Sequence, residues 1–161
     1  MDSQVAASTP SDRAPRKDSH NLHVVCPHCN TTNRVPHARL DEAAKCGSCK
    51  QPLLAGHPFA LTKANFDRHV AVNDLPLVID FWAPWCGPCR SMAPAYEEAA
   101  VRLAPKVRLA KLDTEAEPEI AARFGIRSIP TLIAFKSGRE VARRSGASDL
   151  SGLLEWIRAS V

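Results

Sequence analysis

The chain has 161 residues, room for one domain or two small ones, and its 45% hydrophobic and 24% charged content is that of a globular protein. Lys and Arg exceed Asp and Glu by a formal +4, spread evenly: seven basic and five acidic residues precede Pro58, fourteen and twelve follow. That dispersal excludes the concentrated basic face of a charge-driven nucleic-acid or anionic-membrane binder, and apolar stretches such as Ile129 to Phe135 are far too short to span a bilayer.

In chain order, residues 1–20 are rich in Ser, Pro, Ala and charge and read as a disordered leader. With Asp2, Asp12 and Asp18 and no apolar core, they do not read as a secretory signal. Residues 21–57 carry four cysteines and four histidines, short strand-like pieces (Leu22 to Val25, Arg34 to Val35) and no core of their own. A segment this small needs a metal or disulfides to fold. The turn at Gly56-His57-Pro58 marks the boundary to a second unit, residues 58–161.

That second unit alternates its elements. A short strand at Phe59 to Leu61 is expected to lead, then a helix over Lys63 to Val72 with Phe66 and Val70 on one face. Leu77 to Phe81 is a nearly unbroken apolar run, as in a strand buried on both sides. Cys86 to Leu103 predicts a long helix with Pro94 inside it, and Val107 to Leu112 a second buried strand. A short helix follows, with Pro118 in its first turn and Thr114 or Glu115 as caps. Thr131 to Phe135 and Glu140 to Arg144 form a hairpin through Ser137-Gly138, and Asp149 to Ala159 closes as an amphipathic helix capped by Ser148. The implied fold is α/β: a mixed sheet flanked by helices, parallel first and ending in an antiparallel hairpin.

All six cysteines fall in Cys-x-x-Cys pairs: Cys26/Cys29, Cys46/Cys49 and Cys86/Cys89. Without a signal for secretion, such pairs point to metal binding or redox catalysis before structural disulfides. The first two pairs, 16 residues apart, have the spacing of a structural zinc site. Four thiolates from Cys26, Cys29, Cys46 and Cys49 leave no open coordination position. Two local disulfides, or His28 replacing one cysteine, are the competing readings. The third pair stands alone where a buried strand gives way to a helix. There, unpaired N–H groups and the positive end of the dipole stabilise a thiolate at Cys86, and Cys89 lies one turn further on the same face. Half of another metal site is the alternative.

The run Asp80-Phe81-Trp82-Ala83-Pro84-Trp85-Cys86-Gly87-Pro88-Cys89 resembles the active-site segment of the thioredoxin family, and Phe124-Gly125-Ile126-Arg127-Ser128-Ile129-Pro130-Thr131 resembles its second motif. The likeness extends from about Pro58 to Val161. With the four upstream cysteines, the chain is similar to the zinc-containing bacterial thioredoxin 2 type. The resemblance implies a thioredoxin fold behind a small N-terminal zinc ribbon and a cytoplasmic protein-disulfide reductase. In it, Cys86 attacks a disulfide, Cys89 resolves the mixed disulfide, and Asp80, its pKa raised by burial, accepts a proton. Lys111 matches the family lysine near that carboxylate, and Pro130 the cis-proline that presents the Ile129 backbone to a substrate. Trp85, Gly87, Pro88, Ile129, Gly146 and Ala147 are expected to form a flat, uncharged surface around Cys86. The expected cofactor is one structural Zn²⁺, with no organic cofactor. The expected partners are thioredoxin reductase as electron donor and many disulfide-containing proteins, with no nucleic acid and no membrane. A disulfide oxidase or isomerase, and a zinc-ribbon adaptor with the second unit as scaffold, stay open as other functions.

Overall fold

The computed structural model describes residues 21–161, so the leader expected over residues 1–20 lies outside it. Its elements run β1 (Asn21–Val25), β2 (Thr32–Pro36), β3 (Phe59–Ala60), α1 (Phe66–Ala71), β4 (Leu77–Trp82) and α2 (Gly87–Leu103). They continue as β5 (Arg108–Asp113), α3 (Pro118–Arg123), β6 (Thr131–Lys136), β7 (Arg139–Ser145) and α4 (Leu150–Ser160).

The apolar run at Leu77 becomes the middle of a five-stranded sheet ordered β3-β5-β4-β6-β7. Strands β3, β5 and β4 are parallel; β6 runs antiparallel to β4, and β7 to β6. A strand paired on both edges and covered on both faces has no position for an exposed side chain, and every residue from Leu77 to Phe81 is buried. Alternation sorts them. Val78 joins Leu109, Leu132 and Ala134 beneath α2 and α4, packing on Tyr96, Leu153 and Ile157. Leu77, Ile79 and Phe81 join Ala110, Leu112 and Ile133 on the other face, against Phe66 of α1 and Ile120 of α3. Asp80, next in alternation after Val78, therefore belongs to the α2 side.

β1 and β2 form a separate antiparallel hairpin whose loop carries the first cysteine pair. Contrary to the expectation of no core, Val24, Val35, Leu40 and Leu53 make a small apolar cluster with Cys26 and Cys46, and Leu75, just before β4, completes it. Further contacts tie the two units. Asp74 accepts the His23 backbone N–H at 2.7 Å and returns its own N–H to the His23 carbonyl at 2.9 Å. Arg68 Nη2 donates to Thr32 Oγ1 at 3.0 Å, and His69 Nε2 lies 3.1 Å from Asn30 Oδ1.

Three local expectations are corrected. The first helix starts at Phe66 rather than Lys63, because Asn65 Oδ1 accepts the Thr62 N–H at 2.7 Å and holds that stretch as a turn. The short helix is not capped by Thr114 or Glu115: its N-cap is Glu117, while Asp113 Oδ1 takes the amides of Glu115 and Ala116 upstream. The last helix is capped by Asp149, whose Oδ1 accepts the Gly152 N–H at 2.8 Å, and not by Ser148.

Candidate functional site

Where β4 ends, Ala83-Pro84-Trp85 turns the chain into α2, and Cys86 takes the N-cap position. Its Sγ accepts the Cys89 backbone N–H at 3.2 Å, so one of the helix's unpaired amides points at the sulfur. Pro88, with no N–H of its own, sits in the first turn at no cost to the helix. The geometry brings the two cysteines to 5.3 Å between Cα atoms, joined as a disulfide. Both are buried, packed with Ala83, Trp82 and Ile129.

The second motif arrives from β6. The Ile129–Pro130 peptide is cis, and the Ile129 carbonyl oxygen lies 3.8 Å from Cys86 Sγ. Gly146 donates its N–H to the Pro130 carbonyl at 2.9 Å and sits at φ +97°, a conformation open to glycine and strained for other residues. Trp85, 69% exposed, presents an aromatic face beside Gly87 and Pro88, which are exposed like Gly146 and Ala147. A methyl group built at Gly87 would meet no atom within 4 Å, so nothing inside the chain demands glycine there.

Asp80 is 0% exposed, and neither carboxylate oxygen has a hydrogen-bond partner. Burial pushes its pKa up to about 7, against the pull of Lys111. Lys111 stands opposite Asp80 in the β4–β5 register but makes no ion pair with it; its ammonium packs 4.4 Å over the Trp82 ring. Sequence reasoning passed over Tyr96, whose buried hydroxyl lies 2.7 Å from the Ala110 carbonyl and 3.1 Å from that of Val78, linking α2 to β4, the strand that carries this carboxylate, and to β5 beside it. A tyrosine on a helix's apolar face carries no sign of where its hydroxyl reaches.

The other four cysteines converge. Their sulfurs all lie within 4.8 Å of one another, with Cys26–Cys49 and Cys29–Cys46 each at 3.6 Å. A tetrahedral zinc site with bonds of about 2.3 Å needs sulfurs about 3.8 Å apart, so the set fits one ion. The four are free thiols, not local disulfides, and the exposed His28 lies outside the group. Each pair folds as the same knuckle: Asn30 and Lys50 donate to the carbonyls of Cys26 and Cys46 at 3.0 Å, both at positive φ. The amides of His28 and Ser48 aim at the first sulfur of each pair at 3.4 Å, the outer hydrogen bonds a thiolate site calls for. Amide donation from Cys49 with that of Asn33 holds the Cys46 thiol down to about 6, whereas burial pushes Cys26 up to about 12.

Comparison with known proteins agrees with this geometry. The Thioredoxin family matches residues 57–159, and the family described as Thioredoxin 2, N-terminal, matches residues 25–51. The chain belongs to the thioredoxin family. Thioredoxin C-3 of Corynebacterium nephridii is 45% identical over 134 residues, covering 83% of this chain and 92% of that protein, a span that reaches back into the ribbon. Thioredoxin of Rhodospirillum rubrum is 45% identical over 101 residues, covering 63% of this chain and 97% of that protein. Among solved structures, the N21Q mutant thioredoxin from Halobacterium salinarum NRC-1 superposes with a TM-score of 0.59 at 29% identity, over 66% of this chain and 92% of that one. The fold is the thioredoxin fold, with a four-cysteine ribbon before it. With its paired Cys86 and Cys89, this thioredoxin-family chain is a protein-disulfide reductase. Among the described residues, no helix is long and apolar enough to cross a membrane.

The buried carboxylate carries a stability signature. Below the unfolded-state pKa of 3.8, Asp80 is protonated whether folded or not; between there and about 7 only the unfolded chain ionises, so native stability falls with rising pH and then levels. Asp80→Asn is therefore expected to leave stability nearly unchanged near pH 3.5 and raise it by on the order of 4 kcal/mol above pH 7.5. Urea denaturation across that range checks this; a pH-independent difference would show that Asp80 titrates normally.

Proposed function

We propose that this chain reduces disulfides in cytoplasmic proteins by cycling Cys86 and Cys89 between dithiol and disulfide. The observation that carries this reading is Cys86 at the N-cap of α2 with the Cys89 amide directed at its sulfur, the setting that favours thiolate over thiol. The Cys86 thiolate attacks one sulfur of a substrate disulfide, forming a mixed disulfide and expelling the other sulfur as a thiolate. Cys89 then gives up its proton to Asp80 and attacks Cys86 Sγ, releasing the second substrate thiol and closing the Cys86–Cys89 disulfide. Two electrons have passed to the substrate, and thioredoxin reductase restores them.

Asp80 suits its role because a carboxylate poised near pH 7 takes and returns a proton readily. Lys111, across from it, eases the ionised form. Trp85, Gly87, Pro88, Ile129, Gly146 and Ala147 form the docking surface, and the buried cis Pro130 sets the backbone of Ile129 within it. There the Ile129 backbone pairs with an extended substrate segment, and open space at Gly87 lets a partner approach closely. An aromatic, mostly uncharged patch suits many protein partners rather than one small molecule.

Residues 21–57 act as a zinc-ribbon module and 58–161 as the thioredoxin domain. Cys26, Cys29, Cys46 and Cys49 would hold one structural Zn²⁺, which when bound ties both knuckles of a segment with little core.

In reductase-coupled turnover of a protein disulfide with NADPH, Cys86→Ser is expected to lose at least about a thousandfold. Activity surviving that substitution would overturn the mechanism. Metal analysis of the purified chain is expected to give one zinc per chain, lost in Cys26→Ser and kept in Cys86→Ser; equal loss in both would contradict the division of the cysteines.

A further inference from the structure

Arg108 opens β5 at the seam between the two units and takes no part in the dithiol chemistry. It is 5% exposed, yet none of the ion pairs among the described residues includes it. A guanidinium keeps its charge at any working pH, and burying one without a counter-charge is strongly unfavourable. Its two side-chain contacts are neutral. Nη1 donates to Asn73 Oδ1 at 3.2 Å, and the guanidinium carbon lies 4.6 Å above the Phe59 ring. Asn73 is itself buried and anchored through Nδ2 to the Leu75 carbonyl at 2.9 Å, so the pocket is built to hold the group in place.

Across the seam from Arg108 lies the first cysteine knuckle of the ribbon. Arg108 and Phe59 share the walls of one cavity of about 230 Å³ with Pro27 and His28, the two residues between Cys26 and Cys29. Cys26, the ligand next to Pro27 in the chain, is buried like Arg108, so a charge that metal binding places on its sulfur lies in the same poorly solvated seam as the guanidinium. Four thiolates around a divalent cation keep a net charge of about −2. We propose that Arg108 is the buried counter-cation of the four-cysteine site, so that the thioredoxin domain supplies part of the ribbon's metal-holding environment. The proposal rests on the zinc reading above. His69 supports the same knuckle from the same domain through Asn30, so the first knuckle takes both a polar brace and part of its compensating charge from the thioredoxin domain. Metal retention and docking of the two units are then one equilibrium: charge lost from the site leaves Arg108 uncompensated, and loss of Arg108 leaves the dianionic site uncompensated.

The full chain, loaded with zinc, serves as wild type, Arg108→Met, Arg108→Gln and Arg108→Lys. Zinc transfer to excess EDTA is followed with a colorimetric zinc indicator, and thermal midpoints are recorded before and after chelation. Removing an outer partner of a metal site typically costs 10–100-fold in affinity, so Met and Gln are expected to lose zinc roughly tenfold faster or more, with Lys close to wild type. Their midpoints should fall in the zinc-loaded form and converge with wild type once zinc is removed. A packing role would instead lower the midpoint equally in both forms. That result, or zinc release unchanged in Met and Gln, would overturn the proposal. If Met does not fold, Gln against Lys decides: equal acceleration in both would overturn it. A wild-type chain that binds no zinc would overturn the metal reading itself.

Discussion

Burial of β4 on both faces and both edges is the constraint from which the rest follows. Between β5 and β6, the strand leaves no room for solvent, and Asp80, the one ionisable group on it, is carried into the core with neither oxygen partnered. That desolvation costs stability at neutral pH, which ordinary packing would not sustain. The same strand ends at the turn that makes Cys86 the cap of α2, so a proton-holding group and a sulfur facing a helix N-terminus come from one continuous run of chain. Native stability given up at Asp80 is of the kind that active sites trade for a pKa near working pH.

The ribbon occupies the opposite end of the same strands. Its contacts are with Asp74 and Leu75, just before β4, and the cavity beside it reaches Arg108 at the start of β5. Three residues along β5, Lys111 stands opposite Asp80. One strand thus bears a cation at each site, Arg108 toward the thiolates of the ribbon and Lys111 toward the carboxylate. The ribbon is not a free appendage, since its small apolar cluster is incomplete without Leu75 and its first knuckle is held through Asn30 by His69.

Much of this was legible in the order of residues. The run from Leu77 to Phe81 has no polar alternation until Asp80, and three Cys-x-x-Cys pairs divide into a metal set favoured by spacing and a redox pair favoured by its strand-to-helix setting. Local choices between equal candidates were not legible. Ser148 and Asp149 both cap helices well, and only the backbone path decides that Asp149 does so. A helical period at Lys63 says nothing of the Thr62–Asn65 turn that delays the helix. What escaped entirely was the seam. His69 with Asn30, and Arg108 with the first knuckle, are pairings 39 and more residues apart, and nothing in one sequence marks which buried cation answers which thiolate.

The central claim, that the sheet's interior holds a carboxylate near neutral pKa behind the dithiol, is tested most directly by carbon-13 NMR titration of the Asp80 carboxyl in the intact chain. A midpoint near 7 is expected, set by burial and moderated by Lys111. A midpoint near the ordinary 3.8 would mean that water reaches Asp80, and would contradict both the burial of β4 and the proton-accepting role built on it.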